Sequence, residues 1–145
     1  GIIYNPTTNE YFHAEKNKGA FCNNRQIKVN SKTNYEVCSL AISSSEISIL
    51  KSYKFLNSKD VKKIGSIAYK IALVAKGKID IAISLTKKND WDLAAADLLI
   101  KEAHGKIMET SGEKIIYNTQ NLNINSVMAA NVDIILDLKK KFNNS

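Results

Sequence analysis

Two aspartates flank a tryptophan in the segment Asp90–Trp91–Asp92, directly before a run of alanines and leucines. On spacing alone, Asp92 is expected to cap the helix, Asp90 to face solvent and Trp91 to pack the turn onto the core. The same geometry also suits chemistry, because α/β proteins bind ligands where strands lead into helices. A carboxylate held there is the kind of oxygen ligand that Mg²⁺ prefers, although one carboxylate cannot hold the ion alone.

A second candidate site is the segment Gly65–Ser66–Ile67. Gly65 allows the backbone to come close to a ligand. The N–H groups around Ser66 and Ile67 would lie at the positive end of a predicted helix, where they can meet hydroxyl or phosphate oxygens. An ordinary helix start, with Ser66 as the N-cap, is the alternative interpretation. The sequence has no Walker-type or dinucleotide-binding glycine pattern.

The histidines and cysteines do not indicate a catalytic or metal site. His13 lies among alternating residues of a predicted hairpin and His104 lies at a predicted helix end, and neither has a nearby serine or cysteine motif for a nucleophilic triad. Cys22 and Cys38 belong to no Cys-x-x-Cys pair or His cluster, which argues against a zinc site or a disulfide framework. We therefore expect reduced thiols and a cytoplasmic protein.

Short strands and turns are predicted for the first thirty residues, beginning with a hairpin in which "GIIYN" and "EYFHAE" flank the turn "PTTN". Tyr35 to Ser43 is predicted to be a buried strand, followed by a helix over "SSSEISILKSYKFL" and a short strand over "DVKKIG". Alternation of strands and helices from about Val37 onward predicts an α/β layer sandwich.

The second half continues this alternation. A helix capped by Ser66 and ended at Gly77 precedes the strand "KIDIAISL", and a helix from Asp92 to Gly105 follows. "KIMETSGEKIIYN" is typical of a strand, a turn and a strand. "SVMAAN" predicts a buried strand, and "VDIILDLKKKF" an amphipathic closing helix with lysines in its last turns.

Composition sets broad limits on function. The 145 residues are 44% hydrophobic and 24% charged, which is typical of one ordinary soluble domain. The net charge of +7 is spread along the chain, so a solvated surface is favoured over a nucleic-acid surface, and an anionic substrate such as a phosphate ester also fits. No apolar run nears the roughly 20 residues needed to span a bilayer, and no signal-peptide pattern occurs. The start at Gly1, inside the apolar "GIIY", indicates a piece of a longer protein.

Several stretches together resemble one known family. "WDLAAADLLIKEAHGKI" is similar to the motif W-D-x-A-A-x-x-L-I-x-x-E-A-G-G of the inositol monophosphatase family of magnesium-dependent phosphatases. "GIIYNPTTNEYFHAEKNKGAFCNNRQIKV", "GSIAYKIALVAKGKID" and "MAAN" match other segments of the family in the same order. The resemblance covers nearly the whole chain, and it corresponds to the C-terminal part of the family.

This resemblance implies roles for particular residues. Asp92 corresponds to an aspartate that binds a catalytic metal ion, and Mg²⁺ would activate water and neutralise charge on the phosphoryl group. Gly65, Ser66 and Ile67 fall where family members contact the substrate through a helix start. Ser84 or Leu85 stands where inositol-specific members have a substrate-contacting Glu, a departure that puts strict inositol specificity in doubt. His104 replaces the first glycine of E-A-G-G, a change expected to affect the turn rather than the chemistry.

The resemblance also implies an architecture. Residues 35–145 would form the C-terminal α/β layer of the family fold, and residues 1–34 would be a remnant of its N-terminal antiparallel sheet. The family's D-P-[IL]-D-G-[ST] motif and an upstream Glu, which supply the remaining metal ligands, are absent. The intact protein would be a homodimeric phosphomonoesterase for a small phosphorylated substrate, with no membrane partner, and this chain alone would be inactive.

Two alternatives remain open. Within the same family, a 3'(2'),5'-bisphosphate nucleotidase or a broader sugar phosphatase suits the missing Glu and the lysines of "LTKKND". From a different class, a non-catalytic module could use the same fold to bind RNA or a protein, helped by the positive charge.

Overall fold

The computed structural model describes residues 1–56, 60–120 and 122–145. The first four strands form an antiparallel sheet in chain order: β1 (Ile2–Asn5), β2 (Glu10–Ala14), β3 (Ala20–Cys22) and β4 (Arg25–Ile27). The predicted hairpin is confirmed, since β1 pairs with β2. Asn23 and Asn24 both have positive φ in the two-residue turn between β3 and β4, as a tight hairpin turn requires.

A second, five-stranded sheet follows. Its members are β5 (Leu40–Ile42), β6 (Val61–Lys63), β7 (Ile81–Ser84), β9 (Gly105–Met108) and β11 (Val127–Asn131), in the order β6-β5-β7-β11-β9. β5 runs parallel to β6 and β7, whereas β11 is antiparallel to both its neighbours. Two further short strands, β8 (Lys88–Asn89) and β10 (Asn123–Ile124), pair with each other.

The described residues also form four α-helices: α1 (Ile47–Leu50), α2 (Ile67–Ala75), α3 (Asp90–Glu102) and α4 (Val132–Asn143). Helices α2 and α3 lie between the two sheets, where their apolar faces share one core with Phe12 of β2 and Ala82 of β7. Helix α4 covers the other face of the five-stranded sheet, in a second core with Ile83 and Met128. This layering buries both faces of the sheet, which explains why β7 and β11 are almost continuously apolar.

The structure corrects several predicted elements. Tyr35 to Ser43 is not one strand, because Tyr35–Val37 forms a 3-10 turn before the short strand β5. The side chain of Asn34 accepts the N–H of Glu36 and so favours the turn. The helix predicted after Ser43 is reduced to a 3-10 turn and the single turn of α1, followed by another 3-10 turn at Lys54–Leu56. Residues 57–59 of that region and residue 121 lie outside the described residues.

Two boundaries also differ from prediction. The second strand expected within "EKIIYN" does not form, and helix α3 begins at Asp90 rather than at Asp92. Across residues 1–56, 60–120 and 122–145, no helix has both the length and the apolar composition needed to cross a bilayer.

Candidate active site

The carboxyl ends of three parallel strands form one edge of the five-stranded sheet. β5 lies between β6 and β7, and the chain leaves these three strands at Ser43, Ile64 and Leu85. In α/β proteins, ligands commonly bind at the edge formed by the carboxyl ends of parallel strands. All the residues that the sequence assigned to the site lie at the end of β7 or at the starts of α2 and α3. Helix α2 follows β6, and α3 follows β7 after the short strand β8.

Helix α2 starts at this edge with an exposed turn. Gly65 and Ser66 are exposed, whereas Ile67 is buried. Ser66 is the N-cap, as predicted, and its Oγ accepts the N–H of Tyr69 at 3.3 Å. A Cβ added to Gly65 would meet no atom within 4 Å, so packing within this chain does not require a glycine there. The open space leaves room for a ligand against the backbone.

The first turn of α3 holds Asp92. Asn89 is the N-cap residue, and Asp92 Oδ2 accepts the Asn89 N–H at 3.0 Å, which closes the turn. The side chain of Asp92 is half-buried, and Oδ1 receives no hydrogen bond from the part of the chain that the structure describes. The carboxylate is therefore fixed through one oxygen while the other is available.

The roles predicted from spacing for Asp90 and Trp91 were wrong. Asp90 is buried rather than solvated, and its Oδ2 accepts the N–H of Asn118 at 2.7 Å. Trp91 is 68% exposed and does not pack the turn onto the core. The reason is the earlier helix start, which places Asp90 in the first helical turn and turns it toward the segment around Asn118.

The end of β7 is organised by Glu46, which precedes α1. The Ser84 side chain is fully buried, and its hydroxyl donates to Glu46 Oε1 at 2.7 Å. The same oxygen accepts the N–H groups of Leu85 and Thr86, at 2.9 and 3.0 Å, and the Thr86 hydroxyl at 2.7 Å. The hydroxyl of Ser84 is thus directed at Glu46 in this structure, and its contact with a substrate stays a prediction.

Lys70 of α2 is fully buried beneath the same edge. Its Nζ donates to Ser43 Oγ at 3.1 Å and to the Ile83 carbonyl at 2.9 Å, and it lies 3.8 Å from Glu46 Oε2. Among the described residues, Glu46 Oε2 has no hydrogen-bond partner. Lys70 therefore ties α2, which carries the exposed Gly65–Ser66 turn, to the ends of β5 and β7.

The pKa values of Glu46 and Lys70 are shifted by burial in one direction and by neighbouring charges and hydrogen bonds in the other. Burial would raise the pKa of Glu46, but hydrogen bonds from Thr86 and Ser84 and the charge of Lys70 lower it to about 2. Burial lowers the pKa of Lys70 to about 8, although the charge of Glu46 opposes that change. At neutral pH both groups are mainly charged. A buried ion pair therefore joins the elements that carry the candidate site.

Sequence reasoning did not assign Glu46 or Lys70 to the site. For Lys70 a signal was present, because Ile67, Lys70, Ile71 and Val74 fall at the i, i+3, i+4, i+7 spacing of a buried helix face. A lysine at such a position is directed into the core and requires a partner. For Glu46 there was no local signal, since its partners at the end of β7 lie 38 to 40 residues further along the chain.

The described residues of this chain do not complete a magnesium site. Within those residues, no group of three or more His, Cys, Asp or Glu side chains is arranged to hold a metal ion. Asp92 offers one carboxylate oxygen, and Glu46 Oε1 is already engaged by four donors. Mg²⁺ requires octahedral oxygen coordination, so Asp92 can supply one ligand but cannot hold the ion alone.

A sequence model of the inositol monophosphatase family matches residues 1–140. The chain therefore belongs to this family, as the motifs indicated. One relative is the fructose-1,6-bisphosphatase/inositol-1-monophosphatase of Thermotoga maritima, which is 29% identical over 119 residues. Another is the bifunctional NADP phosphatase/NAD kinase of Methanococcus maripaludis, which is 30% identical over 122 residues. Each match covers 79% of this chain, but 45% of the first relative and 22% of the second.

A solved structure supports the same assignment. The extragenic suppressor protein SuhB of Bartonella henselae superimposes with a TM-score of 0.81 and 28% identity, covering 99% of this chain and 58% of that protein. The predicted α/β fold class is confirmed by this match. The chain spans about half the length of the first of the curated relatives it matches.

Proposed function

We propose that the intact protein is a magnesium-dependent phosphomonoesterase and that this chain provides part of its active site. The observation that carries the proposal is the position of Asp92. Its carboxylate is fixed through one oxygen at the start of α3, on the sheet edge where the turn at Gly65 and Ser66 is exposed. The N–H groups at the start of α2 would receive phosphate or hydroxyl oxygens of the substrate, and Ser84 is the further substrate-contacting candidate.

Substitution of Asp92 tests this role. Asp92→Asn in the intact protein keeps an oxygen that can accept the Asn89 N–H, so the fold is expected to persist while Mg²⁺-dependent phosphate release is abolished. Asp133→Asn is the matched control, because Asp133 is an exposed acid in the first turn of α4. Retention of most activity by Asp92→Asn would remove this residue from the metal site.

The chain of 145 residues is proposed to be inactive by itself, because the carboxylates that it places at the edge do not complete a metal site. Phosphate release by the purified chain, measured with Mg²⁺ beside a full-length relative, tests this point. Comparable turnover would contradict it. The proposal includes a homodimeric, cytoplasmic intact protein, and light scattering of that protein measures its oligomeric state.

A phosphatase for nucleotides that carry a 2' or 3' phosphate is the second candidate. It is favoured by Ser84, a small residue where inositol-specific members have Glu, and by the relative whose name includes NADP phosphatase activity. Parallel assays of the intact protein with inositol 1-phosphate and adenosine 3',5'-bisphosphate separate the two substrates. A preference for the nucleotide would favour the second candidate.

A further inference from the structure

The ammonium group of Lys88 is held just beyond the carboxyl end of β7. Its Nζ donates to the Thr86 hydroxyl at 2.8 Å, to the Thr86 carbonyl at 3.2 Å and to the Lys87 carbonyl at 3.1 Å. An ammonium group has three N–H donors, so these bonds can occupy all of them. The half-buried side chain is thereby folded back onto its own segment, and the position of its charge is fixed.

Glu46 supports this arrangement from the interior. The Thr86 hydroxyl that accepts a hydrogen bond from Lys88 donates to Glu46 Oε1 at 2.7 Å, and the same oxygen accepts the Thr86 N–H at 3.0 Å. Glu46 is 1% exposed, so its carboxylate is closed to a ligand, whereas Thr86 lies at the surface. Thr86 therefore links a buried carboxylate to an ammonium group that solvent can reach.

The charge of Lys88 is not compensated at this edge. Lys70 lies 3.8 Å from Glu46 Oε2, so the two buried charges offset each other. The acceptors of Lys88 are uncharged oxygens, and within residues 1–56, 60–120 and 122–145 this lysine forms no ion pair. The remaining carboxylate, Asp92, is the one proposed to bind Mg²⁺. The end of β7 thus presents positive charge to an anion.

The segment that carries Lys88 is also where this chain departs from inositol-specific members of the family. Ser84, two residues before Thr86, stands where those members have a substrate-contacting Glu. A carboxylate at that position accepts hydrogen bonds from hydroxyl groups and repels an anion, whereas a fixed ammonium group attracts an anion. The change therefore favours a substrate with negative charge on the part that is not transferred.

We propose that Lys88 is a specificity-determining residue, which favours phosphate esters that carry a second anionic group. Glu46 and Thr86 act as positioning residues, because they fix the ammonium group without contacting the substrate themselves. This inference rests on the proposed phosphatase function, and it assigns the second anionic group to a particular side chain.

The test compares two substrates that differ only in the second anionic group, adenosine 3',5'-bisphosphate and adenosine 3'-phosphate. In the intact protein with Mg²⁺, Lys88→Gln should raise KM for the bisphosphate about fivefold, as expected for one charge near the surface. The KM for the monophosphate and both kcat values should change by less than about twofold, because the lost charge does not act on the transferred phosphate. High salt should reduce the difference between parent and variant.

Variants of Thr86 test the positioning role. Thr86→Val keeps the charges of Lys88 and Glu46 but removes the hydroxyl between them, and it should raise KM for the bisphosphate about threefold. Thr86→Ser restores the hydroxyl and should restore the parental KM. Lys140→Gln, which removes an exposed charge from α4 on the other face of the sheet, is the matched control and should leave KM unchanged.

Inositol 1-phosphate separates this inference from the function on which it rests. Release of phosphate from inositol 1-phosphate, with equal effects of Lys88→Gln on both adenosine substrates or no effect on either, would overturn the role of Lys88 and leave the phosphatase proposal intact. No release from any of the three substrates by the intact parent protein would contradict both. Because Lys88 is outside the core, its variant decides the matter even if Thr86→Val fails to fold.

Discussion

Glu46 and Lys70 form an ion pair 3.8 Å apart, in which the two side chains are 2% and 0% exposed. Removing one member of such a pair leaves a buried charge without compensation, which is more costly than replacing both members. Because the pair joins α2 to the ends of β5 and β7, its loss would affect the candidate active site as well as the core.

Glu46→Gln should lower the free energy of unfolding by about 3 kcal/mol. Glutamine keeps an oxygen for the donors from Ser84, Leu85 and Thr86, so the substitution isolates the charge. The loss should be smaller above the pKa of Lys70, which is about 8, because the lysine is then increasingly neutral. Urea unfolding at two pH values measures both effects.

The control for this prediction is an exposed pair. Glu15→Gln removes the partner of Lys18, whose ion pair is 2.7 Å long with side chains 69% and 67% exposed, and it should change stability by less than about 0.5 kcal/mol. The double variant Glu46→Gln, Lys70→Met should recover part of the loss. If Glu46→Gln were as harmless as Glu15→Gln, the buried pair would not stabilise the fold.

Acid should destabilise the protein partly through Glu46. Its pKa is about 2 in the folded chain and 4.5 ordinarily, so the stabilisation is fully present above 4.5 and is lost as the pH falls toward 2. Between about pH 5 and pH 2, Glu46→Gln should therefore lose roughly 3 kcal/mol less stability than the parent. If the free energy of unfolding fell equally with pH in the parent and in Glu46→Gln, Glu46 would not contribute to the loss of stability in acid.

Gly65→Ala should weaken substrate binding and leave the stability of the fold nearly unchanged. The space around Gly65 is open, and its φ lies outside the left-handed region, so stability should change by less than about 1 kcal/mol. In the intact protein the added methyl group would occupy the space proposed for the substrate and should raise KM. A drop in stability of more than about 2 kcal/mol would mean instead that the fold requires this glycine.

His104→Gly should raise stability by about 1 kcal/mol, because His104 has a φ of +65° at the end of α3. Helix α2 provides the matched comparison: Gly77 has a φ of +72° at the equivalent position, and Gly77→Ala should be destabilising. Thermal unfolding of both variants measures the two changes. If His104→Gly lowered stability, the positive φ of His104 would not be a source of strain at this turn.

The helices and strands that carry strong local patterns could be predicted from the sequence. The Ser66 cap and the buried strand β11 were both found where expected. The segment "EKIIYN" has the alternation of a strand, but it pairs with none of the strands that the described residues form. The N–H of Asn118, at the end of this segment, donates instead to Asp90, 28 residues earlier, and links the segment to the first turn of α3.

For the same reason, the sequence predicted only some of the residues that form the candidate site. Asp92 and Gly65–Ser66 belong to local motifs, so the sequence could point to them. Glu46 acts on Ser84 and Lys70 only after the parallel strands have brought the three together. Long-range contacts of this kind leave no short sequence signature.

The place of β11 in the sheet has a consequence for biosynthesis. β11 is the last strand in the chain, yet it lies between β7 and β9 and pairs with both. During translation the ribosome must release residues 127–131 before the middle of the sheet can close, so nascent chains expose the open edges of β7 and β9 until then. A chaperone that binds unpaired strand edges would act mainly during this interval.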